Sequence, residues 1–63
     1  MNKPMTTESQ VLYNELLDLL SKSELAARNG QWMTCGTWAK NAMDRAYEIA
    51  NVELIDAEPP KTL

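Results

Sequence analysis

Residues 29–43 read NGQWMTCGTWAKNAM, and this stretch decides how the chain is organised. Asn29-Gly30 is typical of the turn that ends a helix, because glycine adopts the left-handed backbone conformation without a steric penalty. An amphipathic stretch lies on each side of this dipeptide. Trp32 and Trp38 stand six positions apart, which is not a helical repeat, so we expect them on opposite edges of a contact surface.

The stretch before the turn has the periodicity of a helix that begins near Thr7. Thr7 and Gln10 fit a capping box, in which the hydroxyl and the amide satisfy backbone N–H groups of the first turn. Ser21 with Glu24 also fits a capping box, so the sequence allows either a continuous helix or one that bends near Ser21. The apolar side chains fall on one broad face: Leu12, Tyr13, Leu16, Leu19, Leu20 and Ala27.

The stretch after the turn, about residues 31–51, predicts a second amphipathic helix. One half of its helical wheel is polar. The other half has a central stripe of small side chains at spacings of four and three: Cys35, Ala39, Ala42 and Ala46. Larger apolar residues lie on the two flanks of this stripe: Trp32, Met43 and Ala50 on one, Trp38 and Ile49 on the other.

Together these patterns predict an all-α fold, an antiparallel helical hairpin of about residues 7–29 and 31–52. We expect a domain of residues 7–56 between a disordered N-terminus (1–6) and a disordered tail (57–63) that contains Pro59-Pro60. Residues 52–56 admit an alternative, a short extended arm that docks on a partner. Six residues are predicted to close the hairpin: Leu12, Leu16, Leu20, Ala39, Ala42 and Ala46.

The size of the chain predicts association. Sixty-three residues lie near the lower limit for independent folding. The chain has one cysteine and no histidine, so an internal disulfide and ordinary zinc or haem sites are excluded, and we expect no cofactor. Self-association, most simply as a dimer forming a four-helix bundle, is therefore expected. The predicted interaction surface contains Tyr13, Leu17, Trp32, Trp38, Met43 and Ile49.

Charge and motifs limit the function classes. The net charge of −3 disfavours a general phosphate-binding surface, so nucleic acid is an unfavoured partner. Cys35 has no histidine to activate it, and no nucleophile–base pair or phosphate loop is present, so we expect no enzymatic activity. The sequence shows no apolar signal core and no run long enough to span a membrane, which predicts a cytoplasmic protein.

The polar start MNKPMTTESQ, the helical body and the proline-containing end AEPPKTL resemble the short, acidic, helical accessory proteins of lambdoid bacteriophages, encoded between the exonuclease and excisionase genes. The resemblance spans the whole chain without a specific motif, so no residue role is carried over. It implies a non-enzymatic regulator in the host cytoplasm that binds host or phage proteins.

The alternative is a dimeric DNA-binding transcriptional regulator, which could present a helix to the major groove. It requires the basic residues to gather on one face of the dimer: Lys22, Arg28, Lys40 and Arg45.

Overall fold

A computed structural model of the chain describes residues 5–54, which form two α-helices packed against each other as a hairpin. Helix α1 is Thr7–Arg28 and helix α2 is Trp32–Glu53, each of 22 residues. The predicted all-α hairpin is confirmed, and α1 runs through Ser21 as one continuous helix. Residues 1–4 and 55–63, including the predicted tail 57–63, lie outside the described residues.

The N-cap of helix α1 lies one residue earlier in the chain than predicted. Thr6 is the N-cap residue: its backbone is extended, and its Oγ1 accepts a hydrogen bond from Ser9 N at 3.1 Å. The predicted capping box of Thr7 and Gln10 is wrong, because Thr7 is already helical and the Gln10 amide instead donates to Asn14 Oδ1 at 3.4 Å. Thr6 therefore belongs to the folded hairpin, although the predicted domain began at residue 7.

The turn between the helices has the geometry that Asn29-Gly30 predicts. Gly30 adopts φ +72°, the left-handed conformation that favours glycine. Gly30 N donates to Ala27 O at 3.0 Å, and Gln31 N donates to Ala26 O at 2.8 Å. These two bonds form a Schellman motif, which satisfies the last carbonyls of α1 and reverses the chain within three residues.

The helices meet along a stripe of side chains spaced alternately three and four residues apart, the spacing of a helix seam. We call these residues the interface stripe, and all are buried or half-buried. On α1 they are Ser9, Leu12, Leu16, Leu19, Ser23 and Ala26; on α2 they are Cys35, Trp38, Ala42, Arg45, Ile49 and Val52. Cys35 packs inside the hairpin as predicted, half-buried beside Ser23, whose hydroxyl donates to Cys35 O at 3.0 Å.

The six residues predicted to close the hairpin are placed correctly only in part. Leu12, Leu16 and Ala42 lie in the interface stripe, whereas the structure exposes the other three: Leu20, Ala39 and Ala46. The difference is a rotation of both helices. Turning α2 toward Trp38 and Ile49 removes far more apolar area from water than turning it toward two alanines, at about 25 cal/mol per Å². Burial of the larger side chains therefore decides the contact.

Trp38 and Ile49 are consequently hairpin residues. Ile49 is only 9% exposed, and Trp38 is half-buried with Lys22 Nζ at 4.7 Å from its ring centroid. The hairpin itself covers Ile49 and about half of Trp38, and whether either residue also contacts another chain stays a prediction. Even so, the core is small. Only four of the described residues are buried: Ser9, Ala26, Ala42 and Ile49.

The open end of the hairpin is closed by side-chain bonds. Thr6 donates twice to Glu53 Oε2, from its backbone N at 3.1 Å and from its hydroxyl at 3.0 Å. Helix α2 extends past Asn51 and ends at Glu53, and its C-cap residue Leu54 adopts the left-handed conformation at φ +56°. Of the predicted docking arm, Val52 is helical and half-buried in the stripe, and residues 55–56 lie outside the described part of the chain.

Candidate protein interaction surface

The hairpin has two broad sides, one on each flank of the interface stripe. At 100° per residue, Tyr13, Leu17 and Leu20 lie on one flank of the α1 stripe, and Glu15 and Lys22 lie on the other. The two helices run antiparallel, so equivalent flanks of their stripes lie on the same side of the hairpin. Each side of the molecule is therefore composed of one flank from each helix.

One side is apolar. We call it the apolar side, and all of its members are exposed: Tyr13, Leu17 and Leu20 from α1, with Trp32, Ala39, Met43 and Ala46 from α2. Trp32 is 68% exposed, Met43 47% and Leu17 43%. Between Tyr13 and Leu20 on α1, and between Ala39 and Ala46 on α2, no charged residue lies on these flanks, whereas Glu24 shares the α1 flank one turn beyond Leu20. Large exposed apolar patches on proteins are commonly places where another molecule binds, so this side is the candidate interaction surface.

The opposite side is polar and carries an ion pair between the helices. Arg45 Nε lies 3.1 Å from Glu15 Oε1, and the same guanidinium also contacts Glu48. Asn41 lies beside them on the same flank of α2. Because Glu15 and Arg45 meet across the hairpin here, this contact confirms which flanks share a side. The two sides of the hairpin thus differ, with the interhelical ion pair on one and the apolar side on the other.

Four of the six predicted interaction residues lie on the apolar side: Tyr13, Leu17, Trp32 and Met43. Whether they contact another chain stays a prediction. The sequence reading missed Leu20, Ala39 and Ala46, which it assigned to the hairpin contact. A signal for them exists, because α2 contains a second series with spacings of four and three parallel to the interface stripe: Trp32, Gly36, Ala39, Met43, Ala46 and Ala50.

The remaining large exposed apolar residues do not form a second patch. Leu25 and Met33 point outward from the two edges of the hairpin, away from both the stripe and the apolar side. Val11 lies on the outer edge of α1 and Tyr47 on the outer edge of α2, while Met5 precedes α1 and Leu54 follows the end of α2. Single exposed apolar side chains of this kind are ordinary on protein surfaces. Leu25 and Met33 thus provide matched control positions for the apolar side.

Every basic residue between 5 and 54 has a carboxylate partner within 4 Å. Lys22 pairs with Asp18 at 3.3 Å, Arg28 with Glu24 at 2.9 Å, and Lys40 with Asp44 at 3.6 Å. Arg45 pairs with both Glu15 and Glu48. These four basic residues point in different directions around the hairpin, so they do not form a basic face on one copy of the chain.

The described residues contain no group of three or more acidic or cysteine side chains arranged to hold a metal ion. Neither α1 nor α2 has an apolar stretch of the length needed to cross a membrane. Models of protein families, curated proteins and solved structures were compared with the chain, and none of them matches it.

Proposed function

We propose that this chain is a small non-enzymatic regulator that acts by protein–protein interaction and self-associates through its apolar side into a four-helix bundle. The observation that carries the proposal is the imbalance between buried and exposed apolar surface. Among the described residues, three apolar side chains are buried, whereas eleven large ones are exposed. A helix layer with one uncovered apolar side is completed by packing on another layer.

A second copy of the chain is the occupant that this surface fits best. The apolar side has no central charge, so two copies meet there without bringing like charges together. Each helix of 22 residues is about 33 Å long at 1.5 Å per residue. Two such helices packed about 9 Å apart present a side of about 650 Å² in projection, the same order as the ~800 Å² that each partner contributes to a standard interface.

A regulatory role of bacteriophage type is the part of the proposal that rests on the resemblance of the whole chain to lambdoid accessory proteins. Within this proposal, the dimer places its two polar sides outward, where host or phage proteins would meet them. The alternative of a DNA-binding regulator has less support. Its four candidate residues, Lys22, Arg28, Lys40 and Arg45, are each paired with a carboxylate.

The first test is the molar mass in solution across a concentration series, measured on the full chain, Leu17→Glu and Leu25→Glu. Both substitutions replace an exposed leucine of α1, but only Leu17 lies on the apolar side. We expect twice the chain mass for the unsubstituted protein and Leu25→Glu, and a single-chain mass for Leu17→Glu. A single-chain mass for the unsubstituted protein, or a dimer that tolerates Leu17→Glu, would contradict the proposal.

The regulatory part is tested by expressing the same three proteins in a bacterial host of lambdoid phages. We expect the unsubstituted protein and Leu25→Glu to change host growth or phage yield, and Leu17→Glu to have no effect. Equal protein levels, checked by immunoblot, separate loss of the surface from loss of the protein. No effect of the unsubstituted protein on either readout would remove the regulatory part and leave self-association standing.

A further inference from the structure

The apolar side is not uniform, because its two halves differ in side-chain size. The α1 half carries three large residues, Tyr13, Leu17 and Leu20. The α2 half carries small residues at Ala39 and Ala46, with Gly36 on its outer margin, and its two large residues are Met43 between the alanines and Trp32 near the turn. Gly36 is exposed, and a Cβ placed on it would meet nothing within 4 Å. The side therefore consists of a ridge on α1 and a depression on α2.

The contacts across the hairpin place the residues of this side in layers. Residue 6 contacts 53, residue 15 contacts 45, and residue 23 contacts 35. Interpolation between these pairs sets three layers at successive heights: Tyr13 with Ala46, Leu17 with Met43, and Leu20 with Ala39. In the outer two layers a large residue of α1 thus stands beside an alanine of α2.

We infer that in the dimer α1 of each copy packs on α2 of the other, about a twofold axis parallel to the helices. This inference rests on the self-association proposed above. A rotation about this axis leaves the position of each residue along the helix direction unchanged. Leu20 of one copy therefore lies over Ala39 of the other, and Tyr13 lies over Ala46. Large side chains then fill the depression on both halves of the interface, and both pairs of helices lie at the same separation.

The competing arrangement packs α1 on α1 and α2 on α2, about an axis perpendicular to the helices. It sets leucine against leucine on one half and alanine against alanine on the other. Helix separations range from 8 to 10 Å with the size of the contact side chains, so the two halves would require different separations. Either the leucines would clash or the alanines would leave a gap, and close packing disfavours both.

The two arrangements differ in which residues can be cross-linked. In a Cys35→Ala background, one chain carries Leu20→Cys and a second chain of different tagged mass carries Ala39→Cys; the two are mixed, refolded and oxidised. We expect the mixed disulfide to be the main product, several-fold above either homodisulfide. A matched mixture of Leu25→Cys and Met33→Cys, which lie on the same two helices but point outward, should give little mixed product.

A distance measurement gives an independent test that needs no disulfide to form. Two spin labels on Gln31→Cys, at the turn, lie at the same end of the proposed dimer, roughly 20 Å apart, about two helix diameters. The competing arrangement places the two turns at opposite ends, at least about 33 Å apart, the length of one helix. Circular dichroism of each cysteine variant shows that its helices are intact before either experiment is interpreted.

A dominant mixed disulfide with the short label distance supports the inference. A stable dimer with the long label distance, or with Ala39→Cys homodisulfides as the main product, overturns the arrangement and leaves self-association standing. A single-chain mass for the unsubstituted protein overturns both proposals together. The molar mass therefore distinguishes the two failures: a dimer with the wrong geometry overturns only the arrangement, whereas a monomer overturns self-association as well.

Discussion

Arg45 reaches across the hairpin to Glu15, with Nε 3.1 Å from Oε1, although position 45 belongs to the interface stripe of α2. One third of the Arg45 side chain is exposed, and the same guanidinium contacts Glu48. The aliphatic stem of an arginine can cover apolar surface while its charged end stays in water. Arg45 thus acts as an interface residue and as the ionic link between the helices.

The Glu15–Arg45 pair should stabilise the hairpin modestly. We expect Glu15→Gln to lower the free energy of unfolding by about 0.5 kcal/mol, an effect that added salt reduces because the pair is half exposed. Arg45→Ala should cost about 1–2 kcal/mol, since it also removes the packed stem. The measurement is urea denaturation at fixed protein concentration. The matched control is Asp44→Asn in the more exposed Lys40–Asp44 pair. It should lower the free energy of unfolding by a few tenths of a kcal/mol at most.

Thr6, rather than Thr7, should be the threonine on which the start of α1 depends. Thr6→Ala removes the N-cap acceptor and one bond to Glu53, so we expect a loss of about 1–2 kcal/mol. Thr7→Ala should cost nothing, because Thr7 is already helical and alanine is the better helix former. Thermal unfolding of both variants distinguishes them. Equal losses would place the cap elsewhere.

The two helices follow from the sequence because their signals are strong and local. Asn29-Gly30 matches the left-handed residue that the turn requires, and the apolar periodicity on both sides is helical. The cap was misplaced by one residue because adjacent threonines offer the same hydroxyl. Only the contact between Thr6 and Glu53 distinguishes them, and that contact joins residues far apart in sequence.

The rotation of the helices could not be predicted in the same way. The interface stripe contains Ser9, Ser23 and Arg45, and a search for apolar residues passes over all three. Ser23 is accommodated because its hydroxyl donates to Cys35 O, and Arg45 because Glu15 meets it across the hairpin. Such partners are known only once both helices are in place. The same error left the predicted apolar side incomplete, because its alanines had been assigned to the contact between the two helices.

Ser9 should be a site where a smaller, less polar side chain stabilises the protein. It is fully buried, and no hydrogen-bond partner of its hydroxyl oxygen is found among the described residues. A buried hydroxyl without a partner costs roughly 1–3 kcal/mol, so Ser9→Ala should raise the free energy of unfolding by about 1 kcal/mol or more. The control is Ser21→Ala, at an exposed position of the same helix. Its free energy of unfolding should rise by only a few tenths of a kcal/mol, from the higher helix propensity of alanine.

The two glycines should respond to alanine in opposite directions. Gly36 is helical and a Cβ there meets nothing within 4 Å, so Gly36→Ala should stabilise the chain by about 1 kcal/mol. Gly30 has φ +72°, which alanine adopts at a cost of about 1–2 kcal/mol, so Gly30→Ala should destabilise it. Chemical denaturation of the two variants shows whether each substitution raises or lowers the free energy of unfolding. A loss at Gly36 would mean that another surface approaches it closely.

The contact between Thr6 and Glu53 brings the beginning and the end of the folded chain side by side. The order of the helices along the chain is therefore not essential to their packing. A circularly permuted chain could begin at Trp32, run through Glu53, cross a short linker to Thr6 and end at Arg28, with both helices and their interface stripe unchanged. Because the new linker would replace the turn as the connection, such a permutant would show how much of the stability depends on the residue 29–31 turn and how much on the helix contact alone.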